Sequence, residues 1–322
     1  MNARRFLEVD DLTPAEFATV LDVAEKGKAD PTSIPALLAG KGVVMLFEKP
    51  SARTRASTEM AVVGLGGHPI YVRPEEVGLG ARESVADVAR TFAGFCSIIA
   101  ARVFDHATLE EMAAVVDVPI VNLLSDRAHP TQAVADFLTL RELLGTLDGR
   151  RLAYVGDGNN VTASLAYAAA LSGVELAVAS PAGYELDDLT VERVRNLGGT
   201  IELGNDPYDA VAGADAVYTD VWTSMGQEAE QAARLAAFAG YTVDDALLGA
   251  ARPDAWFLHC LPAHRGEEVA ASVIDGPRSA VWPQAANRMH AARAVLAHLL
   301  DGSLPAAGDT RAAAVRSRIV GS

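Results

Sequence analysis

Ser51, Arg53 and Thr54 place two hydroxyls and a guanidinium within reach of one point. They belong to Glu48-Lys49-Pro50-Ser51-Ala52-Arg53-Thr54-Arg55, which directly follows the apolar run Gly42-Val43-Val44-Met45-Leu46-Phe47. That run reads as a buried parallel strand. Residues 56–63 have a helical pattern, so Ser51 takes the N-cap position of a strand-to-helix turn. Free amides at a helix start, two hydroxyls and an arginine suit a dianionic phosphate. For this stretch alone, a capped helix with two solvated arginines is the alternative.

Other candidates also stand at the ends of apolar runs. Arg102 closes the run from Cys96, where a charge is poorly placed unless it faces a cleft or snorkels to the surface. His129 precedes Pro130-Thr131-Gln132; it can polarise a carbonyl oxygen and Gln132 can hold an amide, or the segment is only a turn. Gly156-Asp157-Gly158-Asn159-Asn160-Val161 begins like a dinucleotide fingerprint, but Val161 stands where the third glycine belongs. Its two adjacent amide side chains suggest a small polar ligand instead. Asp220, with the hydroxyl of Ser224 nearby, suits an ammonium group, with a helix cap as the alternative. Cys260, in His259-Cys260-Leu261-Pro262, is either an inert buried thiol or a site residue. Its neighbour His259 points to the other face of a regular strand, which argues against a Cys–His catalytic pair. Arg288 follows Pro283-Gln284-Ala285-Ala286-Asn287 in what reads as a first helical turn. A cation there opposes the helix dipole and calls for an anionic partner.

The elements that must position these residues alternate between strand and helix. A capping box at Thr13 with Pro14 opens a helix over residues 14–27. Strands are expected at 42–47, 68–72, 96–102 and 118–123, with a Gly-rich loop at 73–83 and helices at 84–95 and 108–116. A long amphipathic helix, 130–144, bridges to a second set of strands at 151–155, 175–179, 200–203, 216–219, 256–259 and 280–282. A final helix covers 287–300. This alternation predicts an α/β protein of two domains, each a parallel sheet flanked by helices, with a cleft between them. The length of 322 residues agrees with about two domains. The net charge of −15 argues against a nucleic-acid or anionic-membrane partner, so an anionic substrate needs a local arginine cluster. Cys96 and Cys260 make no disulfide framework, and no Cys-x-x-Cys suggests zinc. No apolar run reaches about 18 residues, and the N-terminus lacks the apolar core of a signal peptide. A cytoplasmic location is therefore expected.

Six segments in this order and spacing resemble the aspartate/ornithine carbamoyltransferase family over nearly the whole chain. The phosphate loop is similar to the family's Ser-Thr-Arg-Thr-Arg, with Ala52 in place of the second residue. Asp220…Ser224-Met225-Gly226 and His259-Cys260-Leu261-Pro262 resemble the ornithine branch. The resemblance implies that Ser51, Ala52, Arg53, Thr54, Arg102, His129, Gln132 and Arg288 contact carbamoyl phosphate. It further implies that Asn160, Asp220, Ser224 and Met225 hold ornithine, and that Cys260 and Leu261 lie at the reacting centre. Residues 1–140, joined by the C-terminal helix 287–322, would form the carbamoyl-phosphate domain, and 141–286 the ornithine domain. The implied reaction is carbamoyl transfer without a covalent enzyme intermediate, as part of arginine metabolism, in a trimer or a multiple of trimers. No metal or organic cofactor is implied. Transfer to another amine, such as putrescine or an acylated ornithine, and a non-catalytic binding protein on the same fold are the competing readings. One departure concerns the loop 73–84: family members carry there a Gln through which a neighbouring subunit reaches the phosphate. Gly78 occupies that position, leaving a backbone amide, a water or Arg82 to substitute.

Overall fold

The computed structural model of the chain describes residues 5–223 and 228–301. Strands β1 (Arg5–Phe6), β2 (Gly42–Phe47), β3 (His68–Val72), β4 (Ile98–Arg102) and β5 (Ile120–Leu124) form one sheet in the order β1-β5-β4-β2-β3. Strands β6 (Arg151–Val155), β7 (Glu175–Ala179), β8 (Ile201–Gly204), β9 (Ala216–Thr219) and β10 (Trp256–His259) form a second, in the order β10-β9-β6-β7-β8. Every pairing in both sheets is parallel, so each connection crosses over the sheet, mostly through helices. Helices α1 (Pro14–Ala29), α2 (Ala52–Gly64), α3 (Pro74–Val77), α4 (Val85–Ala93), α5 (His106–Val115) and α6 (Pro130–Leu144) go with the first sheet. The second half carries α7 (Asn160–Ser172), α8 (Asp188–Asn196), α9 (Pro207–Val211), α10 (Gln231–Ala237), α11 (Asp245–Ala250) and α12 (Ala271–Ile274). Helix α13 (Val281–Leu300) then returns to pack against α6, α2 and α1. The two α/β units expected from the alternation are present.

Strand order reverses between β2 and β4 in the first sheet and between β6 and β9 in the second. The loops leaving the carboxyl ends at such switch points diverge and leave a crevice for a ligand. Residues Pro130 to Leu140 of α6 are all buried, so the expected amphipathic helix is instead enclosed over most of its length. One apolar cluster runs from Val43 and Met45 through Phe137 and Leu138 to Leu152 and Tyr154, and includes Ala291 and Val295 of α13. The halves therefore share a core across α6 and α13.

Three expectations need correction. Residues 280–282 are not a strand: a single bridge joins Ser279 to Phe257, and α13 begins at Val281. Pro283 is tolerated there because first-turn residues need no intrahelical amide bond. Arg288 consequently sits two turns into the helix, and the dipole argument for its partner lapses. Helix α1 does not stop at Gly27 but runs on to Ala29. The glycine is there for close approach: its carbonyl accepts from Arg293, and an added Cβ would lie 2.2 Å from the Arg293 guanidinium. The loop 73–83 contains the short helix α3, which Gly78 ends in the left-handed conformation at φ 59°. A Gln side chain at that φ would be strained, and its Cβ would meet that of Arg82 at 2.8 Å. Gly78 is thus a requirement of the turn.

Candidate active site

The carboxyl ends of both sheets open onto a cleft of about 1260 Å³. Ser51, Ala52, Arg53, Thr54, Arg102, His129 and Arg288 line one side; Asn160, Asp220, Cys260 and Leu261 line the other. Gln132 is buried one layer behind this surface, and Ser224 and Met225 lie outside the described residues.

On the first wall, Ser51 caps α2, its Oγ accepting from the Thr54 amide at 3.4 Å and lying 3.0 Å from the Thr54 hydroxyl. Arg53 is exposed in the first turn, where the helix leaves its amides without internal partners. Arg55 faces away, paired with Glu59 at 2.8 Å and stacked over Tyr71. Arg102 ends β4 where the register against β5 shifts between Ala101 and Arg102, and such irregularities re-aim a side chain. It is 5% exposed. Burial and the charges of Arg288 and Arg53 bring its guanidinium down to about 10. Arg288 reaches from α13 to donate to Thr54 Oγ1 at 2.7 Å and to Gln132 Oε1. His129, the N-cap residue of α6, is buried, and burial together with Arg288 and Arg102 holds its imidazole well below the usual range. It is therefore neutral at pH 7 and still carries one N–H. Arg102 Nε, Arg288 Nε and His129 Nδ1 have no hydrogen-bond partner among the described residues. The two unpartnered guanidinium donors mark a place for an anion or a carbonyl oxygen, and His129 adds a donor there in the tautomer that carries its hydrogen on the facing nitrogen.

On the opposite wall, the Cys260 thiol donates to Asp220 Oδ1 at 3.0 Å, while Asn159 donates to Oδ2 at 3.3 Å. Burial, then Asp220, pushes the thiol well above its ordinary range. A protonated thiol is not a nucleophile, so the geometry gives Cys260 no nucleophilic role. His259 donates from Nε2 to Glu268 at 3.2 Å and accepts the Leu261 amide at Nδ1, 2.9 Å away. It makes no hydrogen bond with Cys260, in keeping with the opposed strand faces. The turn leaves Leu261 at φ 62° before a cis bond to Pro262. Asp220, His259 and Cys260 bring ligand-type atoms within 4.8 Å of one another, each already engaged by protein groups. Asn160 donates to the carbonyl of Ser125 at 2.7 Å and so links the two walls.

Sequence reasoning missed two features. Arg234 of α10 pairs with Asp157 at 2.8 Å in a buried bridge that also ties the Trp222 carbonyl. Nothing in the local sequence connects residues this far apart. The second is a relay behind His129: its backbone N–H donates to Ser164 Oγ at 2.9 Å, and that hydroxyl donates to Glu8 Oε1 at 2.8 Å. Burial is the main cause that raises Glu8 from 4.5 to about 8. A carboxyl raised on folding gives stability that is complete below its unfolded value and is lost as pH climbs through about 8. The melting temperature of the Glu8→Gln variant should accordingly fall less than that of the wild type between pH 5 and 9. The two curves should separate by roughly a few degrees at the alkaline end. Thermal unfolding at three pH values tests this, and parallel curves would rule out Glu8 as a contributor.

Known proteins share this arrangement. A model of the aspartate/ornithine carbamoyltransferase carbamoyl-P binding domain matches residues 4–142, and one of the Asp/Orn binding domain matches 148–299. An ornithine carbamoyltransferase from Acidothermus cellulolyticus is 51% identical over 304 residues, covering 93% of this chain and 97% of the relative. The crystal structure of ornithine carbamoyltransferase from Thermus thermophilus superposes with a TM-score of 0.85 at 46% identity, over 94% of this chain and 100% of that one. The Pyrococcus furiosus enzyme gives 0.88 at 45%, over 94% and 98%. With both halves matched in sequence and in shape, the chain belongs to the aspartate/ornithine carbamoyltransferase family.

Proposed function

We propose that the chain transfers the carbamoyl group of carbamoyl phosphate to the δ-amine of L-ornithine, giving L-citrulline and phosphate. The observation that carries this reading is the cleft itself: three arginines and a neutral histidine face a buried carboxylate and a protonated thiol. Ser51, Ala52, Arg53, Thr54 and Arg288 hold the phosphate. Arg102 and His129 donate to the carbamoyl oxygen, whose charge grows as the amine attacks. Asp220 and Asn160, with Ser224 and Met225, hold the amino-acid end of ornithine, while Cys260 and Leu261 border the reacting atoms. The neutral amine forms the new C–N bond, the C–O bond to phosphate breaks, and the departing phosphate accepts the amine proton. Residues 1–140 with the C-terminal helix 287–322, of which residues 302–322 lie outside the described residues, serve carbamoyl phosphate, and residues 141–286 serve ornithine. The names of the matched relatives and family models support this reading.

The chain works in the cytoplasm as a homotrimer or a multiple of trimers, by resemblance to the family. No helix among the described residues is long and apolar enough to cross a membrane. Arg82 is already held by its own loop through the Glu76 carbonyl and Glu83. This favours a backbone amide or a water as the substitute for the missing Gln. Incubation with carbamoyl phosphate and a panel of ornithine, putrescine and acetylated ornithine, read as ureido product, tests the assignment. An N-acetyl-L-ornithine transcarbamylase structure is also similar, with a TM-score of 0.82, but at 26% identity.

Attack by the neutral amine has a pH signature. A δ-ammonium resembles lysine, with a pKa of about 10.4, so about one molecule in a thousand is neutral at pH 7.4. His129 is held below this range and Cys260 above it, so neither changes charge between pH 6.5 and 8.5. Activity at subsaturating ornithine should then rise steeply across that window, by up to about tenfold per unit. A flat or falling profile would count against the mechanism.

A further inference from the structure

Behind the phosphate wall stands a buried carboxylate that the mechanism above does not use. Asp136 lies on α6, four residues after Gln132 and so on the same helical face. It is completely buried. Its Oδ1 accepts from Gln132 Nε2 and from Gln284 Nε2, both at 2.7 Å, and its Oδ2 accepts from the Tyr218 hydroxyl at 3.2 Å. The far ends of the two glutamines are equally committed. Gln132 Oε1 accepts from Arg288, which in turn holds Thr54. Gln284 Oε1 accepts from the backbone N–H of His259 at 2.9 Å, one residue before Cys260.

Donor and acceptor chemistry fixes this arrangement. An arginine and a backbone N–H can only donate, so each glutamine must turn its oxygen toward them. Both NH₂ groups then converge on one point and need an acceptor there. Asp136 supplies it, and no other carboxylate contacts either amide among the described hydrogen bonds. The chain of contacts runs from the phosphate loop through Arg288 and Gln132 to Asp136, then through Gln284 to the Cys260 turn. It spans both domains: its ends, Thr54, Arg288 and the Cys260 turn, line the cleft, while Gln132, Asp136 and Gln284 are buried behind it.

We propose that Asp136 is a positioning residue: by accepting from Gln132 and Gln284 at once, it fixes Arg288 against the phosphate loop and anchors the Cys260 turn in the same register. This rests on the carbamoyl-transfer reading for its kinetic consequence. Burial, opposed by its three donors, raises Asp136 to about 7, in keeping with a site where the acceptor oxygen matters more than a full charge.

The test compares Asp136→Ala with Asp136→Asn, alone and in a Gln132→Met background. Alanine removes the acceptor. Asparagine can keep its oxygen toward both glutamines and turn its NH₂ toward the Tyr218 hydroxyl, which can accept. Asp136→Ala should raise the carbamoyl-phosphate KM about tenfold and lower kcat/KM about 30-fold. Asp136→Asn should restore kcat/KM to within about fivefold of wild type. In the Gln132→Met background, the effect of alanine on KM should shrink to about threefold or less, since the residue acts through Gln132. An asparagine variant as impaired as alanine overturns the proposal, as does an undiminished alanine effect in that background. Should the alanine variant not fold, a loss of more than about 30-fold in the asparagine variant overturns it alone. A wild type that makes no ureido product would refute the function instead. Carbamoyl-phosphate binding by titration calorimetry would then read the Asp136 series without turnover.

Discussion

L-Ornithine is expected to exceed putrescine by more than about 1000-fold in kcat/KM. The two amines offer the same reacting group and differ at the α-carbon, so the difference reports on the wall proposed to receive the ammonium. Asp220 is 5% exposed and lines the cleft. Its oxygens take neutral donors, the Cys260 thiol and the Asn159 amide, and no lysine or arginine pairs with it among the described residues. Asp157 on the same wall is answered by Arg234 at 2.8 Å. A buried carboxylate without a cation is costly, and a ligand ammonium relieves that cost. Putrescine leaves Asp220 unanswered, and sites built for a polar group reject analogues that lack it by several orders of magnitude. Steady-state kinetics with both amines decides the matter. Equal use would transfer the chain to the reading in which another amine is the acceptor.

Arg53→Ala should lower turnover on carbamoyl phosphate by at least about 100-fold, with the fold intact. Each charge-assisted hydrogen bond contributes about 1.5–3 kcal/mol, and a forked guanidinium on phosphate makes two. About 3 kcal/mol corresponds to a factor of more than 100 in rate. Stability should move the other way. Arg53 lies close enough to Arg102 and Arg288 to lower the pKa of both, so the three cations repel one another without an anion. Removing one relieves that repulsion, and the melting temperature of the ligand-free variant should hold or rise. A folded variant with near wild-type turnover would falsify the phosphate role of Arg53.

Much of this was legible in the chain because the fold repeats one local grammar. Apolar runs such as 42–47 and 151–155 announce strands, and Ser51, Asp157 and Asp220 come within four residues of a strand end, where parallel sheets expose their loops. What escaped depends on residues distant in sequence. Ala280, Val281 and Trp282 are apolar enough for a strand; the helix that claims them is held against α6, 140 or so residues earlier. Gln284 was in view beside Arg288, yet its partner Asp136 is 148 positions away. Gln132 reads as a substrate contact from its motif, and its bond to Arg288, 156 positions away, has no trace there. The register shift that re-aims Arg102 belongs to the pairing of two strands and has no signature in either.

Helix α13 also sets a timetable for synthesis. It is the last helix among the described residues, yet it covers α1, α2 and α6, which emerge well before it, and it delivers Arg288 to a loop made more than 200 residues earlier. At the usual pace of translation, roughly 10–30 s separate the completion of α6 from the arrival of α13. During that interval the first sheet has its strands but lacks one helix of its cover, and the apolar flank of α6 awaits its neighbour. The first domain must wait for α13, and so must the part of the core that the two halves share. The nascent chain therefore passes through a state in which the half matched by the carbamoyl-P binding model lacks a covering helix and the apolar flank of α6 is open.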